Sequence, residues 1–435
     1  MKIKDYLLTF LLAGTIIVSI VLSTILWYNP AYYQKNRSSE VNNSKVSITT
    51  HSLSYIYAPS QVIKTNSDGK QNMLTNRSVN LVDGILNQLN DYHQAKFSND
   101  QQKSKSNYFK ILNRPNSLML NYSSSINTKI FSKIMDNSKI HNQLSNFPDH
   151  SINRIVIPTD DADNIYLLSD HNFTIYRITV NHHPLKKLNK ELSGNSIKRI
   201  PIQMTDRNNI PFIQFTKDIS MPQYGYIINK QNISYYASYL NFSSNSKTNR
   251  NRTVYDSNSR QLEANDKSSQ VIYSTAQDNM QTDSTDEFLR NAYHNIIQLG
   301  LNLDNVHFYS YNHSKKSIDY RYFVEGFPIL GNEPWGVIKV EAQYNNDVRY
   351  YFSLNDLEVP VPTGRANIVL PSTDKVFNNL RAAGYDPNRV SDVEIGYNSG
   401  PNTHQNSNIL INLKPSLYIK YNGKWMTYNH MLYHN

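Results

Sequence analysis

This 435-residue chain contains no cysteine. Disulfides, thiolate metal sites and a thiol nucleophile are therefore excluded. Most catalytic signatures are missing as well: there is no GxSxG, HExxH, P-loop or dinucleotide-binding glycine pattern. The net charge of +10 and the pI near 9.2 come without any RNP, zinc-finger or helix-turn-helix signature, and the basic residues are scattered. Nucleic acid is thus rejected as a partner. A solvated surface accounts for the charge, with attraction to anionic headgroups or wall polymers as the unspecific alternative.

What is present begins at the N-terminus. Lys2 and Lys4 precede an uncharged apolar run from Tyr6 to Tyr28. As a helix rising 1.5 Å per residue it is roughly 34 Å long, enough to cross a hydrocarbon core of about 30 Å with some tilt. No small-x-small cleavage site follows; Trp27, Tyr28, Asn29 and Pro30 come instead. Trp27 and Tyr28 suit the headgroup layer, and Pro30 ends the helix. The expectation is an uncleaved, single-pass anchor in the cell membrane, N-terminus cytoplasmic, with the bulk of the chain outside. A cleaved signal peptide is the alternative. A cysteine-free exterior fits a Gram-positive-type cell better than a disulfide-dense animal ectodomain.

The organisation expected is a cytoplasmic N-terminus (1–5), a transmembrane helix (6–28) and a polar stalk (29–44). An N-terminal α+β domain (45–158), a central β-rich domain (159–279) and a C-terminal α+β domain (280–435) follow. In the first domain, Val46 to Ile63 reads as strand, Ser67-Asp68-Gly69 as a turn, and Val79 to Leu89 as a helix with one apolar face. Thr128 to Leu144 suggests another helix. The centre is strand-like, including Tyr224-GYIINKQNISYYAS, and Ser243-SNSKTNRNRT reads as an exposed hairpin tip or loop. In the last domain, Ser284 and Glu287 suggest a capping box, Phe288 to Ile297 line a helix face, and Gly300 stops it. A second helix begins near Ser372 or Thr373 and ends at Gly384. Asn422-Gly423 marks a type I′ hairpin. The fold class is α+β, with mostly antiparallel sheets and helices packed on them.

Three patterns invite chemistry. Ser372-Thr373-Asp374-Lys375 has SxxK spacing, but its partner elements SxN and KTG are absent downstream; a helix start explains it. His182-His183 point to opposite faces of a strand, and Asp160-Asp161-Ala162-Asp163 lacks the glycine and distal Glu of a calcium loop. No catalytic, cofactor-binding or metal-binding residue is assigned, and no small-molecule substrate is expected. In the apolar run, Thr15, Ser19 and Ser23 are spaced by four and share one helical face. Such residues allow close helix packing and cross-helix hydrogen bonds in lipid, although they also bond to their own i−4 carbonyls in plain anchors.

The anchor with Trp27-Tyr28 and Pro30, together with Tyr320-RYFVEGFPILG, Leu370-PSTDKVFNNL, Ile395-GY and Leu413-KPSLYIKYNGKW, resembles the YycH (WalH) family. The resemblance implies a three-part exterior whose last portion is related in fold to the partner YycI. It also implies regulation of the essential WalK (YycG) sensor histidine kinase, which governs cell-wall metabolism, with contacts through transmembrane helices. It supplies no catalytic residues. The leading expectation is a non-enzymatic, membrane-anchored regulator of such a two-component system. A wall-polymer or lipid-binding module is the alternative, and a wall-processing enzyme would be revived by a cleft bringing Ser372 and Lys375 together with a third polar group, or by a paired-carboxylate groove.

Overall fold

The computed structural model describes residues 51–76, 81–89, 95–135, 149–160, 163–180, 192–194, 196–243, 246–276, 280, 282, 284–331, 334–343, 347–361, 363–399, 403–405 and 408–433. The apolar run at 6–28 lies outside these residues. Among the described residues no helix is long and apolar enough to cross a membrane.

The fold is α+β. Every strand pairing described is antiparallel, the one parallel contact being an isolated bridge between Ile329 and Tyr397. A first sheet takes nine described strands in the order Ala95–Lys103, Thr174–Val180, Asn164–Ser169, Ser151–Pro158, Ser117–Asn127, Gln61–Thr65, Gln71–Thr75, Lys198–Arg207 and Ile210–Phe215. Its middle strands are apolar on both faces: Leu118, Met119 and Leu120 are all buried, as are Ile155, Val156 and Ile157. A strand covered on both sides loses its alternation in this way. The helix Leu81–Leu89 covers part of the sheet with Val82, Ile85, Leu86 and Leu89.

A second sheet of nine described strands begins with an exposed hairpin, Ser246–Asn249 with Arg252–Ser257. It continues through Arg260–Asn265, Gln270–Thr275, Val348–Ser353, Val337–Ala342 and Ser317–Val324 to Val306–Asn312, and Phe327–Pro328 adds to Ser317–Val324. The helix Thr285–Ile297 buries Phe288, Leu289, Ala292 and Ile296. A third sheet is organised around the long strand Asn408–Tyr421, which pairs with Tyr224–Lys230, Val390–Ser399, Thr403–Gln405 and Lys424–Thr427. Asn422 and Gly423 adopt φ of 50° and 77° in the last hairpin, which the right-handed strand twist demands.

Several local expectations are corrected. Residues 51–60 are not strand: Ser52 caps a short helix, Leu53–Ile56, accepting from the Tyr55 N–H at 3.2 Å. The strand from Tyr224 ends at Lys230, because Asn232 accepts from the Ser234 N–H at 2.9 Å and starts the helix Ile233–Tyr239. The capping box at Ser284 does not close. Ser284 Oγ donates to Asp286 instead, and Glu287 accepts from Thr282 Oγ1 at 2.7 Å. Helix Thr128–Ile134 is described, whereas the rest of the helix expected to Leu144 falls outside the described residues, Met135 apart.

Two seams join the first sheet and its leading segment to the later chain. In one, Tyr57 is fully buried; its hydroxyl donates to the Leu289 carbonyl at 2.7 Å and meets the Tyr320 hydroxyl at 2.8 Å. Beside it, His51 bonds Asp304 at 2.6 Å, and the His307 ring bonds the Tyr55 carbonyl at 2.8 Å. Burial pulls the His307 imidazole down to about 4, so it is neutral at ordinary pH. At the other seam, Arg207 clasps the Val390 carbonyl at 3.1 Å and stacks on Phe377 at 4.1 Å. Next to that clasp the sheets part.

Candidate functional site

The parting leaves a cleft of about 770 Å³. That lies within the roughly 300–1,000 Å³ of small-molecule sites. One wall is the first sheet, with Asn121, Tyr122 and Arg154 on central strands and Ile210 to Phe215 at the edge. The second sheet contributes its edge strand and following turn, Tyr309 to Ser314. The third sheet contributes Ser391 to Ile395 and the Lys420–Trp425 hairpin.

Strand Val390–Ser399 turns Val393 and Ile395 inward, so period-two alternation presents Asp392 and Glu394 together on its other face. Both acids are half-buried. Asp392 Oδ1 accepts from the Val393 N–H at 2.8 Å, and Glu394 Oε2 accepts from the Tyr309 hydroxyl at 2.7 Å. The other oxygen of each has no protein partner among the described residues. Burial raises the Asp392 carboxyl against the pull of the Val393 N–H and the Lys420 charge. It pushes Glu394 up to about 8, helped by the Asp392 charge and opposed by the Tyr309 bond. Near neutral pH the pair therefore carries fewer than two negative charges.

On the facing wall, Arg154 is bonded to Asp170 and, at 3.1 Å, to the Tyr108 hydroxyl. Asn121 Nδ2 donates to Gln61 at 2.8 Å. The Tyr122 hydroxyl and Arg154 Nε are buried without a protein partner among the described residues. At the rim stand two large exposed apolar side chains, Ile210 (42% exposed) and Trp425 (38%). Lys420 Nζ lies 5.7 Å from the Trp425 ring.

The patterns marked in the sequence do not contribute to this cleft. Thr15, Ser19 and Ser23 lie outside the described residues, as do His182, His183, Asp161 and Ala162. Asp160 accepts from Arg114 and Asn116, each at 3.4 Å. Ser372 and Lys375 sit at a helix start, Thr373–Ala382, where Asp218 takes the Ser372 N–H at 3.0 Å and the Lys375 ammonium at 2.6 Å. Thr373 Oγ1 meanwhile accepts from the Phe215 N–H at 2.9 Å, tying the helix to the first sheet. Among the described residues no three or more His, Asp or Glu gather as a metal would need. Sequence reasoning missed Asp392 and Glu394. Their signal was two acids at i, i+2 alternating with Val393 and Ile395, although nothing local tells which partner faces them.

The YycH protein N-terminal domain matches residues 4–196, and the YycH protein C-terminal domain matches residues 212–433. The crystal structure of YycH from Bacillus subtilis is similar over 88% of this chain and 99% of that chain, with a TM-score of 0.69 and 18% identity. At that identity the likeness bears on the fold. No curated protein matches the chain. An uncharacterized protein from Eubacterium rectale ATCC 33656 overlaps 50% of this chain and 86% of its own at a TM-score of 0.30 and 11% identity, and supports nothing further. With the two family domains together spanning nearly the whole sequence, the chain belongs to the YycH family.

Proposed function

We propose that this protein is a membrane-anchored, non-enzymatic regulator that binds a sensor histidine kinase of the WalK/YycG type together with a YycI-like accessory protein. The observation that carries the reading is the extent of the family match: the N-terminal family domain begins at residue 4 and so includes the apolar run of 6–28. The family is one of accessory regulators, and an anchor held in the same domain as the exterior suits a protein that acts on a membrane kinase. Its three exterior portions, 45–158, 159–279 and 280–435, stand outside the membrane on the stalk of 29–44. Regulation follows from a higher affinity of anchor and exterior for one kinase state, which shifts that equilibrium.

Recognition lies partly in the bilayer, on the face of Thr15, Ser19 and Ser23. Changing all three to Leu keeps the run apolar while removing close approach and cross-helix hydrogen bonds. Each bond is worth roughly 0.6 kcal/mol, so with lost packing the association weakens about tenfold. The test is co-purification of kinase and accessory protein from membranes with the anchor intact. Leu8→Ala with Ile16→Ala, off that face, serves as control. Loss of partners in the triple variant alone is expected; equal retention by both variants would remove the bilayer contact, and recovery of no kinase with the native chain would remove the reading.

A further inference from the structure

We propose that the cleft between the three sheets binds a short, uncharged oligosaccharide, with Trp425 as the stacking platform and Asp392 and Glu394 as partners for its hydroxyls. This goes beyond kinase regulation and does not depend on it.

Charge selects the ligand class. The cleft is lined by three carboxyls, Asp170, Asp392 and Glu394, and two bases, Lys420 and Arg154, the last already paired with Asp170. A polycation would meet the two bases and a polyanion the carboxylates of Asp170 and Asp392, so neither finds a uniform field. Because Glu394 is raised to about 8, it is largely protonated near neutral pH and both donates and accepts. That is how sugar hydroxyls bond. The remaining lining is rich in neutral hydroxyl and amide groups, among them Ser123, Ser124, Asn153, Ser310, Asn312 and Ser391.

Apolar exposure adds a second, independent mark. Among the described residues only five large hydrophobic side chains are exposed, and two of them, Ile210 and Trp425, stand on this rim. The indole is a flat apolar surface of the size of a pyranose ring, whose axial C–H bonds form a matching face. An exposed aromatic beside carboxylates thus offers both contacts a sugar makes, one apolar and one polar.

The arrangement favours binding over cleavage. Glycoside hydrolysis needs two carboxyl groups flanking the scissile bond. Asp392 and Glu394 are two residues apart on one strand and so share one wall. Asp170, from the first sheet's side, is engaged by Arg154 and by the Tyr108 hydroxyl at 2.5 Å. Among the described residues lining the cleft no free acid is left to oppose the pair.

The test uses the full chain in phosphatidylcholine nanodiscs, which avoids sugar-headed detergents. Cellopentaose and the pentamer of N-acetylglucosamine are titrated by calorimetry, with pentalysine and inorganic polyphosphate as charged probes. Saturable binding of at least one neutral oligomer is expected. Trp425→Ala should weaken it tenfold or more with an unchanged melting temperature, and Asp392→Asn severalfold with a melting temperature no lower than that of the native chain. No saturable binding of either neutral oligomer, tighter binding of a charged probe, or equal binding by Trp425→Ala and Asp392→Asn would overturn the proposal. Shortening of the oligomer during incubation would overturn the assignment of binding without cleavage.

Discussion

The two seams that tie the first sheet and its leading segment to the rest of the chain are built in opposite ways. The Tyr57 seam is dry and aromatic: Tyr57, Phe308 and Tyr320 are buried together, ring centres 5.2 to 6.5 Å apart, and the Tyr57 hydroxyl has two partners. The cleft seam carries acids with oxygens open to the cleft and apolar side chains exposed at its mouth. A seam made only to hold would close over such groups, pairing the carboxyls and burying the apolar side chains. The comparison separates a joint from a site.

Truncation at the joint should have the largest effect. Tyr57→Ala removes a ring with no solvent exposure and leaves the Leu289 carbonyl and Tyr320 hydroxyl without their partner, so a loss of about 3–5 kcal/mol is expected in urea unfolding. A loss below 1 kcal/mol would show that the seam is not a joint.

Arg154→Met on the cleft wall should cost less, about 2 kcal/mol, because Asp170 keeps some water and escapes the 3–5 kcal/mol typical when a fully buried pair is broken. A cost equal to that of Tyr57→Ala would erase the distinction between the seams.

Glu394→Gln should be nearly silent in acid and stabilising in alkali. The carboxyl is raised to about 8 in the fold, against 4.5 in its ordinary state. Below the ordinary value both folded and unfolded chains are protonated, and the group has no effect. Above it the unfolded chain ionises first, so native stability declines through the window from about 4.5 to 8 and levels off beyond. Asp356, raised to about 7 by burial and by the Glu358 charge, adds a decline common to both proteins. The difference between variant and native chain is therefore the readout, and a constant difference from pH 4 to pH 9 would contradict the buried carboxyl.

Trp425→Ala should change stability least, within about 0.5 kcal/mol, since a part-exposed rim residue away from the core is seldom worth more. A loss several times larger would make the rim part of the joint.

Local grammar was legible where one segment suffices. The helix Thr285–Ile297 follows from apolar spacing, the left-handed Gly300 from its position after the last apolar turn, and the final hairpin from Asn422-Gly423. The helix Ile233–Tyr239 was hidden because Ile233, Tyr235 and Tyr236 also suit a strand, and a single capping bond at Asn232 decided between them. Sheet membership was illegible for another reason. Strands Ser151–Pro158 and Asn164–Ser169 pair across residue 158, and periodicity says nothing of which strand lies alongside. The cleft needed Tyr122, Arg154, Tyr309, Glu394 and Trp425 side by side, which only tertiary pairing provides.

The long strand Asn408–Tyr421 has a consequence in time. Tyr224 pairs with Leu413, and Val390 with Tyr421, so one late segment completes a sheet begun far earlier. While the chain is being made, Tyr224–Lys230 can have Asn355–Val361 on one side and only a bare edge on the other. An unpaired edge of that kind is a template for the wrong neighbour. The newborn protein therefore passes through a vulnerable interval that closes only when its last strands arrive, and a synthesis interrupted before Asn408 yields an adhesive fragment rather than a smaller working protein.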